Sequence, residues 1–186
     1  GPASTTGNAA IELTVPGTGS GTLAVGDTGK ILQVVSTTKT DTASFASANT
    51  SNFTDISGLS VSITPSSTSS KILVVATVAA AVGTGSLHVR LARGSTGIAV
   101  GDSSSNRQSS TMSRRTQSSI YNLEITPMSF NFLDSPNTTS ATTYKVQATA
   151  GSTYDTTVYV NRSSGDNAYR YGARVASTIT VMEVAA

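Results

Sequence analysis

Arginine and tyrosine occur together in one short segment near the C-terminus, NRSSGDNAYRYGAR, which covers residues 161–174. Guanidinium groups supply planar hydrogen-bond donors and tyrosine rings supply stacking faces, a combination that suits sugars, anionic glycans or a protein partner. We therefore predict a receptor-binding site in this segment, formed by Tyr169, Arg170, Tyr171 and Arg174. An interfacial set of ion pairs or a solvated loop would use the same residue types, and the sequence leaves these alternatives open.

Residues for nucleophilic or metal chemistry are few. The chain has no Cys and a single histidine, His88, which excludes thiolate ligands, Cys nucleophiles and a multi-histidine metal site. A serine nucleophile would depend on His88 as its base, and the sequence contains no Gly-x-Ser-x-Gly motif. We therefore expect a structural or surface role for His88.

The ten carboxylates could hydrolyse a glycoside only if the fold brought two of them together. Several lie in turn contexts, where an aspartate usually bonds its own backbone. The sequence has no Asp-x-Asp-x-Asp ladder for calcium and no phosphate-binding loop. We predict a protein that is not an enzyme and holds no metal and no cofactor. The alternative is a catalytic pair drawn from Asp102, Glu124, Asp134, Asp155 and Asp166.

The overall charge and hydropathy argue against two further classes of partner. Of the 186 residues 12% are charged, and the net charge is +2, far from the strongly basic balance of proteins that bind nucleic-acid phosphates. No apolar run approaches the roughly 18 residues of a membrane-spanning helix. We therefore predict no binding to nucleic acid and no insertion into a membrane.

The elements that must position these side chains are strands. Apolar and polar residues alternate with a period of two along much of the chain, which predicts half-buried strands. The core faces are predicted to carry Leu59, Val61 and Ile63; Leu87, Val89 and Leu91; Met128, Phe130 and Phe132; and Tyr144, Val146 and Ala148. The solvated faces are predicted to carry the residues between them, among them His88, Arg90, Ala92, Thr143, Lys145 and Gln147.

Further strands are predicted over residues 30–36, 120–125, 156–161 and 177–184, which gives about ten in all. The run Lys71 to Val82 could form a helix by length and alanine content, but its β-branched residues favour a central strand. Turn-rich clusters separate these segments, a pattern typical of an all-β sandwich or barrel. Residues 1–29 are rich in glycine, and Gly1-Pro2 looks like the remnant of a removed tag. We therefore predict an extended N-terminal arm or connector over 1–29 and a β-sandwich domain over 30–186.

Serine and threonine make up nearly a third of the chain. Threonine fits the pleated surface of a sheet and hydrates it without placing like charges opposite one another. Such sheets have few charged residues to protect their edges, and self-association is one way to cover them. The sequence thus predicts a homo-oligomer.

Several segments resemble the C-terminal domains of tail-fibre and other virion structural proteins of bacteriophages, especially marine phages. They are GKILQVVSTTKTDT, NFTDISGLSVSITPSSTSSKILVVATV, RLARGST, FNFLDSPNTTSATTYKVQ, VYVNRS and STITVMEVAA. The likeness runs from about residue 29 to 186 and is weak over 101–120 and 162–175. The order of GLSVSITP, KILVVATV and RLARGST also looks like the jelly-roll heads of the tumour necrosis factor and complement type.

The resemblance implies a jelly-roll-like β-sandwich that assembles as a homotrimer. It implies a virion protein at the outer surface of the particle, on the tail fibre or the capsid exterior, that attaches to a host-surface glycan or protein. Other virion proteins would bind through its N-terminal side. One alternative is a structural capsid decoration or fibre-assembly domain without a ligand site. Another is a depolymerase that acts on surface polysaccharide.

Overall fold

The computed structural model describes residues 29–47, 52–115, 123–151, 156–170 and 172–186, and these contain strands and no helix. The strands are β1 (Ile31–Lys39), β2 (Ala43–Ser47), β3 (Thr54–Ile63), β4 (Lys71–Val82), β5 (Ser86–Arg93), β6 (Thr96–Ile98), β7 (Met112–Arg115), β8 (Thr126–Asp134), β9 (Thr142–Gly151), β10 (Thr156–Val160) and β11 (Ser177–Val184). The all-β prediction is confirmed. The predicted arm lies almost wholly outside the described residues.

The first sheet contains β1, β2, β4, β8, β10 and β11, all paired antiparallel. β4 lies at its centre, as predicted, with β8 along one side. Along its other side β11 pairs with the first part of β4 and β10 pairs with the last part, so β10 and β11 lie end to end. β1 and β2 likewise lie end to end against β11 and β10. The first sheet therefore consists of four rows.

The second sheet contains β3, β5, β6, β7 and β9. β9 lies between β3 and β5, and the outer side of β5 pairs with β7 near its start and with β6 near its end. A two-residue turn joins β5 to β6, and Gly94 takes the first turn position with φ +59°. A positive φ at that position is the requirement of a type II′ hairpin turn.

The connections complete the architecture. Two strands that lie end to end can be counted as one row. The first sheet then has the row order β1/β2, β10/β11, β4, β8, and the second has the row order β3, β9, β5, β6/β7. The chain alternates between the sheets except for the β5–β6 hairpin. Eight rows in two sheets with these connections form a jelly roll of two Greek keys. The jelly-roll prediction is thus confirmed, and the eleven strands in the described part of the chain agree with the predicted number of about ten.

The core lies between the two sheets and follows the predicted alternation. The predicted core residues on β3, β5 and β9 are all buried, and so are Met128 and Phe130 on β8. Each buried Val or Leu contributes on the order of 1.5–3 kcal/mol to folding, so these stripes are the main stabilising contribution. Two solvent assignments were wrong: Ala92 is fully buried, and Gln147 is buried between the side chains of Arg90 and Asp55.

One strand prediction was also wrong. Residues 123–125 are not in a strand, and β8 begins at Thr126; the rest of that predicted strand lies outside the described residues. Leu123 and Ile125 instead line a surface groove with Pro127. Pro127 lies on an edge strand, where the missing N–H removes no ladder bond.

Glu183 interrupts the apolar stripe of β11 on its core side and is 1% exposed. Its carboxylate accepts hydrogen bonds from Gln33 Nε2 at 2.6 Å and from the backbone N and Oγ of Ser66 at 2.7 and 2.6 Å. Burial raises the pKa of Glu183, but the hydrogen bonds outweigh burial and hold the pKa at about 2, below the ordinary 4.5. The ionised carboxylate thus ties β1, β11 and the turn after β3 together.

The low pKa of Glu183 predicts a pH dependence of stability. A carboxylate whose pKa falls on folding stabilises the protein above its unfolded pKa, and this contribution is lost as the pH falls through the folded value. The contribution is expected to be complete above pH 5 and to disappear between pH 4.5 and 2, with a size of up to about 3 kcal/mol. Urea unfolding from pH 7 to 2 measures it. Glu183→Gln should flatten this part of the profile, whereas Asp102→Asn, which removes an exposed carboxylate, should not.

Candidate functional site

The predicted receptor segment lies on an excursion, residues 161–176, that leaves the first sheet between β10 and β11. Its base is fixed by Asn161, which is fully buried and has a left-handed φ of +60°. The backbone N of Asn161 donates to Ala79 O on β4, and Val175 N donates to Asn161 O. The two ends of the excursion are therefore held together at the sheet.

The side chain of Asn161 forms the centre of a buried network. Its Nδ2 donates to the carbonyl oxygens of Lys39 and Asp41, at 2.8 and 2.9 Å, where the row β1/β2 is interrupted. Its Oδ1 accepts from Ser177 Oγ at 2.6 Å, and that hydroxyl accepts from Ala79 N at 2.9 Å. The side chain of Asn161 thus satisfies two carbonyls where β1/β2 is interrupted, and it holds the hydroxyl of Ser177, which satisfies Ala79 N where β10/β11 is interrupted.

A surface pocket of about 280 Å³ lies within the excursion. It is lined by Ser163, Asp166, Asn167, Ala168, Tyr169, Gly172, Ala173 and Arg174; we call it the 163–174 pocket. Arg174 donates from Nε and Nη2 to the two carboxylate oxygens of Asp166, at 3.0 and 2.7 Å. The hydrogen bond from Arg174 lowers the pKa of Asp166, so the pocket holds a fixed carboxylate beside a fixed guanidinium.

The four predicted receptor residues have different positions. Tyr169 and Arg174 line the 163–174 pocket, and Tyr169 is 55% exposed. Arg170 is exposed but is not part of the lining, and Tyr171 lies outside the described residues. The alternative prediction of an ion pair applies in part to Arg174, because two of its hydrogen-bond donors bind the carboxylate of Asp166.

Sequence reasoning named Asp166 only as a possible catalytic acid and not as part of the receptor site, because Gly165-Asp166-Asn167 fits a turn. It is indeed a turn residue with φ +42°, and its backbone N donates to Ser163 Oγ. Its side chain nevertheless faces Arg174, and Arg162 Nη1 lies 3.9 Å from the same carboxylate. The guanidinium carbon of Arg162 also lies 4.5 Å from the ring centre of Tyr159 on β10, a cation–π distance.

The other candidate catalytic residues are dispersed. Asp134 is paired with Arg93, Glu124 with Arg114 and Asp166 with Arg174; Asp102 lies in an exposed loop, and Asp155 lies outside the described residues. His88 faces outward on β5, where Gly151 of β9 leaves room for its ring. Burial lowers the pKa of His88, and its Nδ1 is buried without a hydrogen-bond partner among the described residues.

The outward face of the second sheet is charged. Asp55 accepts hydrogen bonds from Lys145 and Gln147, each at 2.6 Å, and Gln147 accepts from Arg90 at 2.7 Å. The guanidinium of Arg90 lies 4.2 Å from the ring centre of Phe53. This face therefore satisfies its charges by itself and is typical of a sheet surface that faces water.

The residues that the structure describes contain neither a metal-binding cluster nor a helix that could span a membrane. Within the described ranges, no group of three or more His, Asp or Glu side chains could hold a metal ion. The same residues include no helix with the length and apolarity needed to cross a bilayer.

In comparisons with known proteins, no family model matches this chain. No curated protein gives a significant match either. The site must therefore be interpreted from its own geometry.

Proposed function

We propose that this chain is a non-enzymatic bacteriophage virion protein, the receptor-binding head of a tail fibre, and that it attaches to a host-surface glycan through the 163–174 pocket. The observation that carries the proposal is that Tyr169 and the Asp166–Arg174 pair line one exposed pocket. The resemblance of residues 29–186 to phage fibre domains supplies the virion setting. The host partner is thus assigned from the chemistry of the pocket.

The chemistry of this pocket suits a sugar. Sugar rings present apolar faces and hydroxyl groups, which tyrosine and planar donor–acceptor groups recognise. The carboxylate of Asp166 can accept from ligand hydroxyls while Arg174 keeps it ionised. Loops that a rigid scaffold holds commonly carry binding residues. Here the scaffold is the jelly roll, and Asn161 anchors the loop.

The position of the pocket also fits a head on a fibre. The described chain begins at Gly29, whose N donates to Ala185 O at the Lys71 end of β4. The excursion begins at Asn161, which is bonded to Ala79. Ala79 lies eight residues from Lys71 along β4, a separation of about 26 Å at the rise of a strand. The N-terminal side could therefore join other virion proteins while the pocket faces a host surface. A homotrimer would present three copies of the pocket to the host surface, so that contacts that are weak singly would together give tight attachment.

Two alternatives remain distinct from this proposal. A purely structural head without a ligand site is favoured by the exposed apolar side chains on the outer face of the first sheet, among them Val34 and Leu133. A depolymerase would need two cooperating carboxylates, and the three candidate acids Glu124, Asp134 and Asp166 each pair with a different arginine. We therefore propose attachment without catalysis.

The test is the binding of the labelled full chain to an array of bacterial surface polysaccharides and defined glycans. We expect at least one glycan to bind and Tyr169→Ala to weaken its binding by about tenfold or more, the size of a lost stacking contact. Tyr169→Phe keeps the ring and should keep most of the affinity. Arg170→Ala should have a smaller effect than Tyr169→Ala, because Arg170 lies outside the lining.

Ser62→Ala, an exposed position on the second sheet, serves as the surface control and should bind like the wild type. Thermal unfolding of each variant checks that the fold is intact. The proposal is wrong if no glycan binds the wild type at millimolar concentration, or if Tyr169→Ala binds as tightly as the wild type. Release of shorter saccharides during the assay would instead support a depolymerase.

A further inference from the structure

We propose that copies of this chain assemble through the outward face of the first sheet, so that a second copy of the chain covers this face. The inference deepens the proposed function, because it assigns the assembly surface of the head, and it rests on that proposal only for the number of copies. The surface itself follows from strand register, exposure and charge. We call it the assembly face.

Four paired apolar residues, one on each of four adjacent strands, form a line across the assembly face, which we call the apolar row. Val34 on β1 is paired with Met182 on β11, Met182 with Leu73 on β4, and Leu73 with Leu133 on β8. Val34 is 57% exposed and Leu133 is 53% exposed, at the two ends of the row. A continuous line of large apolar side chains on a sheet surface is typical of an interaction site rather than of a surface that faces water.

Apolar exposure continues on both sides of this row. Ile31 and Leu32, at the bulged start of β1, are 45% and 41% exposed, and Val75, next along β4, is 39% exposed. At the far end of the sheet a groove of about 420 Å³ is lined mainly by Leu123, Ile125, Pro127, Val175 and small residues. The groove provides a depression that could receive apolar side chains of a second copy.

The polar positions of the assembly face are compatible with burial. Two further lines of paired residues, which we call the hydroxyl rows, run parallel to the apolar row. The nearer one contains Ser36, Thr180, Val75 and Asn131, and the next one contains Thr38, Thr178, Thr77 and Ser129. The hydroxyls of Ser36 and Thr180 are 2.8 Å apart, and those of Thr77 and Ser129 are 3.0 Å apart. Because these hydroxyls already bond each other, covering them leaves fewer unsatisfied groups than covering free ones would.

Charge distinguishes the two outward faces of the sandwich and favours a copy of the chain as the occupant. The apolar row and the two rows beside it contain no charged side chain. Lys71, at the start of β4, borders the apolar row and donates to Ser135 Oγ at 2.7 Å. The second sheet, in contrast, exposes the network of Asp55, Arg90 and Lys145. A basic or acidic partner would find no opposite charge in these three rows. Copies arranged around a threefold axis meet at these rows without like-charge repulsion, and each copy then contacts two others.

The size of the assembly face is also sufficient. Four rows about 4.8 Å apart give a width of roughly 19 Å, and the eight residues of β4 before the buried segment Ala79–Val82 give a length of roughly 26 Å. The face therefore covers roughly 500 Å² on each copy, so that contact between two copies would bury about 1,000 Å² in total, the lower limit for a specific interface.

The experiment is light scattering coupled to size-exclusion chromatography on the full chain at several concentrations. We expect the wild type to have about three times the chain mass of 18.9 kDa. The double variant Val34→Lys/Leu133→Lys places two charges on exposed ends of the apolar row, so it should keep its fold and run at 18.9 kDa. The matched control Ser62→Lys/Thr143→Lys adds the same charges at exposed positions of the second sheet and should stay assembled.

A second measurement does not depend on disrupting the interface. The chain has no native cysteine, so Ser129→Cys and Ser62→Cys each introduce one thiol, the first on the assembly face and the second on the charged face. In the assembled protein, we expect maleimide to label Ser129→Cys at least tenfold more slowly than Ser62→Cys. Dilution to the monomer should remove the difference.

The outcomes separate this inference from the proposed function. A wild type that is monomeric at every concentration overturns both the assembly face and the homotrimer, while glycan binding is tested independently. A trimer that survives Val34→Lys/Leu133→Lys, or that labels both thiols equally fast, overturns the assembly face and leaves the trimeric head standing. Loss of glycan binding with normal assembly would overturn only the proposed function.

Discussion

Asn161→Ala is expected to lower the free energy of unfolding by about 3–5 kcal/mol, since it leaves the buried carbonyls of Lys39 and Asp41 without donors and places alanine at a left-handed φ. Ser177 Oγ loses its acceptor as well. The loss is measured by urea unfolding at one fixed protein concentration, because assembly makes stability depend on concentration.

Asn137→Ala is the matched control for this prediction. Asn137 also has a left-handed φ, +52°, but its side chain is exposed in the loop after β8. Its replacement should cost only the backbone strain, on the order of 1 kcal/mol. Equal losses for the two variants would show that the buried amide contributes nothing beyond the backbone conformation, contrary to our interpretation of the network.

Asp134→Ala is expected to have a similarly large effect for a different reason. Asp134 ends β8 and is 6% exposed, and its carboxylate accepts from Arg93 Nη1 on β5 at 2.8 Å and from the hydroxyl of Tyr144 on β9 at 2.6 Å. These bonds join the two sheets. Burial and the bond to Asp134 raise the pKa of Tyr144, so its hydroxyl is a donor at neutral pH.

The substitution should lower the free energy of unfolding by about 3–5 kcal/mol, because it leaves the hydroxyl of Tyr144 and the partly buried guanidinium of Arg93 without their acceptor. The control is Asp166→Ala, which removes a carboxylate from an arginine pair in which Arg174 is 64% exposed. Exposed pairs contribute about 0–1 kcal/mol. A comparable loss in both variants would contradict the role that we assign to burial.

The prediction for Asn161 also links stability to function. The same side chain that closes the gap between β1 and β2 fixes the base of the excursion. Its removal is expected to loosen the 163–174 pocket as well as the sheet. Weak glycan binding by the Asn161→Ala variant would therefore not show that Asn161 contacts the glycan. The binding test replaces Tyr169, at the rim of the 163–174 pocket, instead.

The long strands could be predicted from the sequence because alternation is a local property. β4 spans Lys71–Val82 and β11 spans Ser177–Val184, the ranges that the pattern predicts. β2, β6 and β7 have five, three and four residues and were not predicted. Segments this short show too little alternation, and they are strands because a longer neighbour pairs with them.

The candidate site was only partly accessible to sequence reasoning. The composition of 161–174 indicated Tyr169 and Arg174, since side-chain chemistry can be read from residue type. It did not indicate that Asp166 would hold Arg174, because the same turn sequence is compatible with a carboxylate that bonds its own backbone. The composition also did not indicate that Arg170 would lie outside the lining of the 163–174 pocket while Tyr169 lies within it.

By itself, the sequence determined that the chain forms an all-β sandwich, because the side chain period of two is set by each strand's own residues. Only the tertiary structure decided which strands lie end to end and which polar residues are buried. Gln33 and Glu183, for example, are 150 residues apart and share a hydrogen bond. Asn161, Asp134 and Glu183 have ordinary polar side chains, and only the pairing of distant strands gives them their buried partners.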